Sequence, residues 1–271
     1  MQTLTAKKIG LIAGEGELPV RLAESAKKNG FEVTAFALSC DNRRELKQNC
    51  NTIYTYGPGE IEKILSALHR EQIKEITFIG KVHKGLLFRN PRLDARAIKL
   101  LKQKTRLNDD AIMLTLSDEL NKEGIDVLDQ TLFLKDMLAL KCVYGKYLPD
   151  ESQIADIEYG FSIAKEIGKI DIGQTVVVKN KMILAVEAIE GTDKTIQRGC
   201  RLGKKDAAVV KVSKPKQDNR FDVPTVGLET LKTIKKYGGK TLAVEAGKTF
   251  VVGKNEMVKF ADKNKMVFIA V

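Results

Sequence analysis

The sequence predicts an α/β protein with an N-terminal Rossmann-like parallel-sheet domain and a C-terminal mixed α/β domain. In the first half, short apolar runs alternate with amphipathic stretches at helical spacing, which is typical of a doubly wound parallel sheet. In the second half, closely spaced strand-like runs suit hairpins. Over residues 131–152 this alternation of strand-like and helix-like segments is interrupted, with Gly145 and Pro149 in the interruption. We therefore place the domain boundary near residue 148, with domains at 1–148 and 149–271.

The elements of the N-terminal half follow from its apolar periodicity. Lys8–Ala13 is a short apolar run that predicts the first strand, and Leu18–Asn29 has apolar residues at helical spacing that predict the first helix. Gly30 stands where the C-terminal cap of that helix belongs. The same reasoning predicts further strands at 31–38, 52–56, 75–79 and 126–128, and helices at 60–70 and 109–122.

The C-terminal half mixes both kinds of periodicity. Its predicted helices lie at 153–167, 228–237 and 254–263. Its predicted strands lie at 175–179, 182–187, 207–212, 241–245, 249–252 and 266–271. Some of these strands are too close in sequence for a crossover helix, so we expect a mixed rather than a purely parallel sheet.

Composition places the chain among ordinary globular proteins. Of its 271 residues, 43% are hydrophobic and 30% are charged, which excludes disordered and collagen-like chains. No apolar run approaches the ~20 residues that span a bilayer, and Glu15 ends the first apolar run too early for a signal-peptide core. We therefore expect a cytoplasmic protein. The four cysteines form no CxxC pair, so we expect neither a zinc site nor a disulfide framework.

The charge balance is strongly basic, with 46 Lys and Arg against 35 Asp and Glu and a net charge of +11. Nucleic acid, an anionic substrate and an anionic membrane surface are all candidate partners for such a chain. Aromatic residues make up 6% and are not interleaved with the basic residues, which counts against nucleic acid. The chain has two histidines. Acid–base chemistry would therefore fall to carboxylates, lysines or a metal-bound water.

A glycine-rich turn follows the first predicted strand. Gly14 and Gly16 come directly before a helix that begins with Leu18 and Pro19, which is where backbone amides cradle a phosphate. Pro19 occupies the position of the third glycine of a dinucleotide fingerprint, so the full NAD pattern is absent. A tight structural turn explains the glycines equally well.

Two further stretches are weaker candidates for substrate contacts. Gly80 and Lys81, followed by His83, leave the end of a predicted strand, where ligand crevices of parallel sheets lie. Asp110 opens a predicted helix, so helix capping explains it as well as chemistry does.

Three carboxylates, Glu187, Glu190 and Asp193, fall within seven positions at a strand end and are followed by Arg198. Oxygen ligands of this kind suit Mg²⁺. The alternative is a solvated acidic loop. Glu187 counts against that alternative because it interrupts an apolar strand, where a charge is costly.

The densest candidate is the stretch from Lys211 to Gly227. It places Lys214, Lys216 and Arg220 beside Asp218 and Asp222, on a backbone shaped by proline and glycine. Arg and Lys bind phosphate, and Asp holds a metal or directs a water, so the loop suits a metal-assisted phosphate site. A charged surface loop is the alternative.

Taken together, these segments resemble the LpxI-type UDP-2,3-diacylglucosamine pyrophosphatases of lipid A biosynthesis. The matching stretches are Gly10–Pro19, Asn108–Ala111, Asp156–Gly173, Ala185–Asp193 (AVEAIEGTD) and Lys214–Gly227 (KPKQDNRFDVPTVG). The resemblance implies a two-domain, metal-dependent hydrolase that converts UDP-2,3-diacylglucosamine to UMP and 2,3-diacylglucosamine 1-phosphate. It also implies a substrate held between the domains and a catalytic aspartate at Asp222 or Asp218.

The residues and the resemblance predict the same chemistry. Asp222, Asp218 and an acid among Glu187, Glu190 and Asp193 are expected to bind Mg²⁺ or Mn²⁺ and to orient a water. Arg198, Lys214 and Arg220 are expected to stabilise phosphoryl charge, with Arg220 acting beside the catalytic aspartates. The predicted substrate contacts are Gly14, Gly16, Leu18, Pro19, Gly80, Lys81, Asp110, Thr192, Arg198, Lys214, Thr225 and Gly227.

The expected partners are UDP-2,3-diacylglucosamine and, peripherally, the cytoplasmic face of the inner membrane. Nucleic acid is not expected, and a homo-oligomer stays open. Two other functions remain as alternatives: an NAD-linked sugar oxidoreductase, and a basic nucleic-acid-binding or regulatory module.

Overall fold

The structure, a computed structural model, describes residues 7–82, 93–102 and 109–271, without the side chains of 101 and 109–111. The chain divides into two units. Residues 1–135 and 219–221 form the first unit, and residues 136–218 and 222–271 form the second. The division at residue 135 comes before the predicted boundary near 148. Both units combine helices with a sheet, so the predicted α/β fold class is confirmed.

The first unit contains five strands in a parallel sheet with the order β3-β2-β1-β4-β5. Its strands are β1 Lys8–Ala13, β2 Glu32–Ala37, β3 Thr52–Thr55, β4 Glu75–Ile79 and β5 Asp126–Val127. Its helices are α1 Leu18–Lys28, α2 Arg43–Asn49, α3 Ile61–Arg70, α4 Ala95–Lys102 and α5 Asp109–Lys122. The sequence did not predict α2, because this short helix buries a single residue, Leu46, and has almost no apolar periodicity.

Apolar residues of alternating elements meet in the core of the first unit. Phe36 of β2, Ile76 of β4 and Leu68 of α3 are fully buried in one cluster. A Cβ on Gly10 of β1 would lie 2.8 Å from Cγ2 of Ile76. The glycine therefore leaves room over this face of the sheet for the side chains of Ile76, Leu68 and Ile73.

The second unit contains a six-stranded sheet with the order β6-β13-β11-β9-β7-β8, and a separate pair of strands, β10 and β12. Its strands are β6 Cys142–Tyr144, β7 Thr175–Lys179, β8 Met182–Val186, β9 Ala207–Lys211, β10 Thr225–Val226, β11 Gly239–Val244, β12 Phe250–Val251 and β13 Val267–Ala270. Its helices are α6 Glu151–Lys169, α7 Thr192–Gly203, α8 Leu228–Lys236 and α9 Lys254–Lys263.

β6 explains why the first unit ends before the predicted boundary. This strand pairs antiparallel with β13, near the end of the chain. Residues 142–144 therefore belong to the second sheet, although they precede the Gly145 and Pro149 break that suggested a linker. The glycine and proline of this segment indicate only the loop that follows β6. The unit to which β6 belongs is decided by its pairing with β13.

Strand directions give the second sheet two distinct edges. β9, β11 and β13 run parallel, and β7 runs antiparallel to β9. The start of β7 and the end of β8 therefore lie beside the carboxyl ends of the parallel strands. We call this side the carboxyl edge, and the other side the opposite edge. Among the helices that the structure describes, none has the length and apolar character needed to cross a membrane.

Candidate active site

The carboxyl ends of β1 and β4 lie side by side in the first unit, and we call the two turns that follow them, residues 14–19 and 80–81, the crevice of the first unit. Strand order reverses between these two neighbours, and such switch points are where open parallel sheets bind ligands. The turns that follow the two strands are joined by backbone hydrogen bonds. Glu15 N donates to Lys81 O at 2.8 Å, and Lys81 N donates to Glu15 O at 3.0 Å. The structure thus brings the predicted Gly14–Pro19 and Gly80–Lys81 segments together.

Two glycines of this crevice are required by close packing. A Cβ on Gly14 would lie 2.5 Å from the carbonyl oxygen of Lys81. Gly80 has φ +93°, and a Cβ there would lie 2.8 Å from both Glu15 O and Pro19 Cγ. Pro19 stands at the start of α1, where its missing N–H costs no helical hydrogen bond. Its ring packs against Gly80, which gives it a structural role at the third position of the fingerprint.

Gly16 differs from these two glycines because its surroundings are open. It has φ +95°, and a Cβ there would have no heavy atom within 4 Å. Its carbonyl oxygen accepts a hydrogen bond from Asn42 Nδ2. No side chain caps the following helix at Glu17. Gly16 and the half-buried Leu18 are therefore the part of this turn with room for a ligand.

The middle of the Lys214–Gly227 loop belongs to the first unit. Residues 219–221 are grouped there, whereas Asp218 and Asp222 are grouped with the second unit. Phe221 packs edge-on against Phe78 of β4 with 6.1 Å between ring centroids. Arg220 Nη1 donates to Oγ of the buried Ser117 at 3.0 Å. The sequence placed the whole loop in the second domain, and the lone aromatic residue in a polar loop was the available signal against that.

Asp218 and Asp222 lie on one turn of the loop. Asp222 N donates to Asp218 O at 3.3 Å. Gln217 Nε2 donates to Asp222 Oδ2 at 3.4 Å. Lys214 Nζ pairs with Asp171 at 2.6 Å, which holds the start of the loop against the end of α6. The two half-buried aspartates therefore share one turn of the loop.

A buried polar chain lies at the carboxyl edge. Thr192 Oγ1, at the start of α7, donates to Glu187 Oε1 at 2.8 Å. Lys211 Nζ, at the end of β9, donates to Thr192 Oγ1 at 3.2 Å and to Thr225 O at 3.3 Å. Glu187 is 8% and Lys211 7% exposed. Lys211 thus links the predicted contacts Thr192 and Thr225; the sequence included it in the candidate stretch but gave it no individual role.

The second acid of the predicted cluster has another partner. Glu190 pairs with Arg198 at 2.6 Å, and Arg198 Nη2 also donates to Val186 O at 2.9 Å. The hydrogen bond from Arg198 holds the pKa of Glu190 below its usual range. Within the described ranges, no three His, Cys, Asp or Glu side chains are grouped so that they could hold a metal ion. The five predicted metal ligands, Asp222, Asp218, Glu187, Glu190 and Asp193, therefore do not form one cluster there.

A largely buried ion pair lies at the base of the loop. Lys165 Nζ of α6 donates to Glu245 Oε2 at 2.6 Å and to Ser213 O at 2.7 Å. Ser213 N donates to the same Glu245 oxygen at 2.8 Å. Burial by itself raises the pKa of Glu245, but hydrogen bonds from Lys165 and the Ser213 amide outweigh it and hold the pKa below its ordinary value. Sequence reasoning missed this group because its members are far apart in the chain.

Three predicted positions remain. Gly227 has extended backbone, and its amide donates to Thr230 Oγ1 at 3.4 Å at the start of α8. The side chain of Asp110 lies outside the described residues, as does all of His83. The structure therefore gives Gly227 a local role in starting a helix.

Comparison with known proteins gives two matches to family models and one to a curated protein. The LpxI N-terminal domain matches residues 8–137, and the LpxI C-terminal domain matches residues 141–269. The chain is 33% identical over 269 residues to a protein of Caulobacter vibrioides called UDP-2,3-diacylglucosamine pyrophosphatase LpxI. That match covers 94% of each chain.

Two solved structures illustrate a distant likeness. A UDP-glucose 4-epimerase from Thermus thermophilus, in complex with NAD, is 16% identical with a TM-score of 0.31. That alignment covers 53% of this chain and 41% of the epimerase. A UDP-glucose 4-epimerase from Thermotoga maritima, with UDP-glucose, is 13% identical with a TM-score of 0.30, over 54% and 42% of the two chains. The chain thus spans less than half of either epimerase, and these likenesses carry no argument about function.

Proposed function

Because the chain belongs to the LpxI family, we propose that it hydrolyses the diphosphate bond of UDP-2,3-diacylglucosamine to UMP and 2,3-diacylglucosamine 1-phosphate in lipid A biosynthesis. The observation that carries this proposal is the 33% identity to the Caulobacter pyrophosphatase over 94% of both chains. Features of both units that suit an anionic substrate also support it.

The crevice of the first unit is proposed to bind the anionic nucleotide part of the substrate. Gly16 leaves open space before the uncapped first turn of α1, where backbone amides and the helix dipole favour negative charge. The exposed Lys81 on the neighbouring turn adds a positive side chain. Gly14, Gly80 and Pro19 act indirectly in this proposal, because they hold the two turns together.

The carboxylates of Asp218 and Asp222 are proposed to perform the chemistry. They are hard oxygen donors on one turn, and Mg²⁺ is commonly held by one or two carboxylates together with substrate phosphates, so the pair fits Mg²⁺ or Mn²⁺ without a third acid. When bound, the ion would neutralise charge on the diphosphate. Asp222 accepts a hydrogen bond from the attacking water and orients it toward phosphorus. Glu187, Glu190 and Asp193 are not needed as ligands in this arrangement.

Cationic groups are proposed to stabilise the charge that develops on the phosphoryl oxygens. Lys214 precedes the two aspartates along the loop, and Arg220 lies between them. Lys211 is already desolvated at the carboxyl edge, so a phosphate that reached it would interact more strongly than with an exposed lysine. The Lys165–Glu245 pair acts as a support, because it fixes Ser213, the residue before Lys214.

The decisive test is the release of UMP from UDP-2,3-diacylglucosamine by the purified protein. Asp222→Asn is expected to reduce turnover by at least ~10³-fold, which is about 4 kcal/mol in activation free energy. Asp206→Asn is the matched control, because Asp206 is exposed and lies on the opposite edge of the same sheet. Equal turnover by the two variants would remove Asp222 from the chemistry. Absence of UMP release by the unaltered chain would remove the proposed function.

The substrate carries two acyl chains and resides in a membrane, so we also propose that the protein works peripherally at the cytoplasmic face of a bilayer. Two acyl chains keep a lipid in the bilayer. An enzyme that acts on such a lipid must approach the surface, and positive charge on the protein favours that approach.

A further inference from the structure

Three segments of the second unit form a basic surface on the opposite edge of the sheet. They are residues 179–182, 201–206 and 235–240. The segments touch one another: Lys179 Nζ donates to Gly203 O at 3.0 Å, and Asp206 N donates to Gly238 O at 2.8 Å. We call this surface the basic edge.

Most of the net charge of the chain is concentrated there. The basic edge contains eight Lys and Arg residues and one acidic residue, so its net charge of +7 is more than half of the +11 of the whole chain. The eight are Lys179, Lys181, Arg201, Lys204, Lys205, Lys235, Lys236 and Lys240. At the carboxyl edge, by contrast, residues 169–173, 187–194 and 211–218 contain five basic and five acidic residues.

Two large apolar side chains stand among these cations. Met182 is 65% and Leu202 is 63% exposed. Met182 begins β8, and Leu202 is in the last turn of α7. The end of α7 packs closely on the sheet, because a Cβ on Gly203 would contact both Leu184 of β8 and Ala207 of β9. Apolar side chains surrounded by lysines match the composition of surfaces that adsorb to anionic bilayers.

Nucleic acid is a weaker fit to the same charge. Single strands bind basic grooves through aromatic platforms. The one aromatic residue of the three segments is Tyr237. Arg201 and Lys236 cover its ring, at 4.7 and 5.4 Å from the centroid. A base therefore has no open ring to stack on at the basic edge.

We propose that the basic edge docks the protein onto an anionic lipid bilayer, with its Lys and Arg side chains on headgroup phosphates and with Met182 and Leu202 entering the acyl boundary. This deepens the proposed function, on which it rests for the reason to visit a bilayer. β9 has five residues and spans about 17 Å between the two edges. A bilayer docked at the basic edge therefore lies on the far side of the sheet from the carboxyl edge, so in this arrangement the lipid substrate must leave the bilayer to reach the proposed chemistry.

The test is co-sedimentation of the full chain with phosphatidylcholine vesicles, with and without phosphatidylglycerol. Binding is expected only with the anionic lipid and should weaken as salt increases. Each basic residue near the surface contributes about 1 kcal/mol, so Lys204→Glu/Lys205→Glu should lower the partition coefficient by at least about 30-fold. Lys254→Glu/Lys259→Glu on α9 has the same charge change outside the three segments and should retain most of the binding. Met182→Ser/Leu202→Ser is a second variant that leaves the charge unchanged; it should also weaken binding, because it removes the apolar side chains that enter the acyl boundary.

Each outcome decides the proposal. No preference for anionic vesicles, or equal losses in the 204/205 and 254/259 variants, would overturn it. So would tighter binding to a single-stranded oligonucleotide than to vesicles at the same salt. Hydrolysis of detergent-dispersed UDP-2,3-diacylglucosamine is measured separately and should be unchanged in the 204/205 variant. If the unaltered chain fails to hydrolyse that lipid, the proposed function fails while the vesicle result still stands.

Discussion

The two candidate binding regions are built in different ways. The crevice of the first unit is shaped by backbone, since Gly14 and Gly80 allow two turns to meet where side chains would collide. The carboxyl edge of the second unit is shaped by side chains, with Lys211 and Glu187 joined through Thr192 and with Lys165 paired to Glu245. In the crevice, an added Cβ at either glycine would collide with neighbouring atoms. At the carboxyl edge, removal of one charged side chain would leave its partner buried without a counter-charge. Substitutions should therefore break the two regions by different physical routes.

The largest expected effect on stability is at the backbone-built region. Gly80→Ala combines a positive φ with a Cβ at 2.8 Å from backbone, so it should lower the free energy of unfolding by about 3 kcal/mol. Gly16→Ala is the matched control, with a similar φ but open space around the Cβ, and should cost about 1 kcal/mol. Urea unfolding followed by circular dichroism measures both. Equal costs would show that crowding at Gly80 contributes nothing.

The next effect tests the side-chain network. Lys165→Met leaves the Glu245 carboxylate largely buried without its nearest cation and should destabilise the protein by about 2 kcal/mol. Lys169→Met on the same helix removes an exposed pair with Glu166 and should cost far less. If the two variants unfold at the same urea concentration, the Lys165–Glu245 pair does not stabilise this edge.

Acid should weaken the same network in a defined direction. The folded-state pKa of Glu245 lies below its ordinary value of 4.5. Its contribution to stability is therefore present above that pH and is lost as the pH falls through the lowered pKa. As the pH falls below 4.5, the free energy of unfolding should decrease less in Glu245→Gln than in the unaltered protein. Unfolding curves recorded across this range check the sign, and a steeper acid loss in the variant would contradict it.

The smallest expected effect concerns Glu190 and Arg198. Their pair lies on the surface, with half of the Arg198 side chain exposed, so Glu190→Gln should leave the midpoint of thermal unfolding unchanged. Turnover should also remain, because the proposed chemistry does not use Glu190 as a ligand. A large loss of turnover without a change in stability would show that Glu190 takes part in the chemistry, as a metal ligand, and not only in the surface pair with Arg198.

The candidate functional segments are each short and continuous in the sequence. The contacts that hold them in place join residues that are far apart in the chain. The Gly14–Pro19 turn was visible as glycine after a strand, and the structure adds Gly80 as the reason that the turn closes. Asp218 and Asp222 were visible as acids in a loop of cations. The supporting groups were not visible, since Lys165 and Glu245 are 80 positions apart.

Local sequence was enough to predict the α/β class, the order of most helices and strands, and the segments that we propose for the phosphate chemistry. Each of these depends on residues within one or two turns of each other, where period and residue type act directly. Tertiary structure alone decided that β6 joins the second sheet, that Arg220 meets Ser117 across 103 positions, and that three lysine-rich segments form one basic edge. Such contacts join residues that are far apart in the chain and depend on strand pairing and burial. The local periodicity of the sequence therefore cannot predict them.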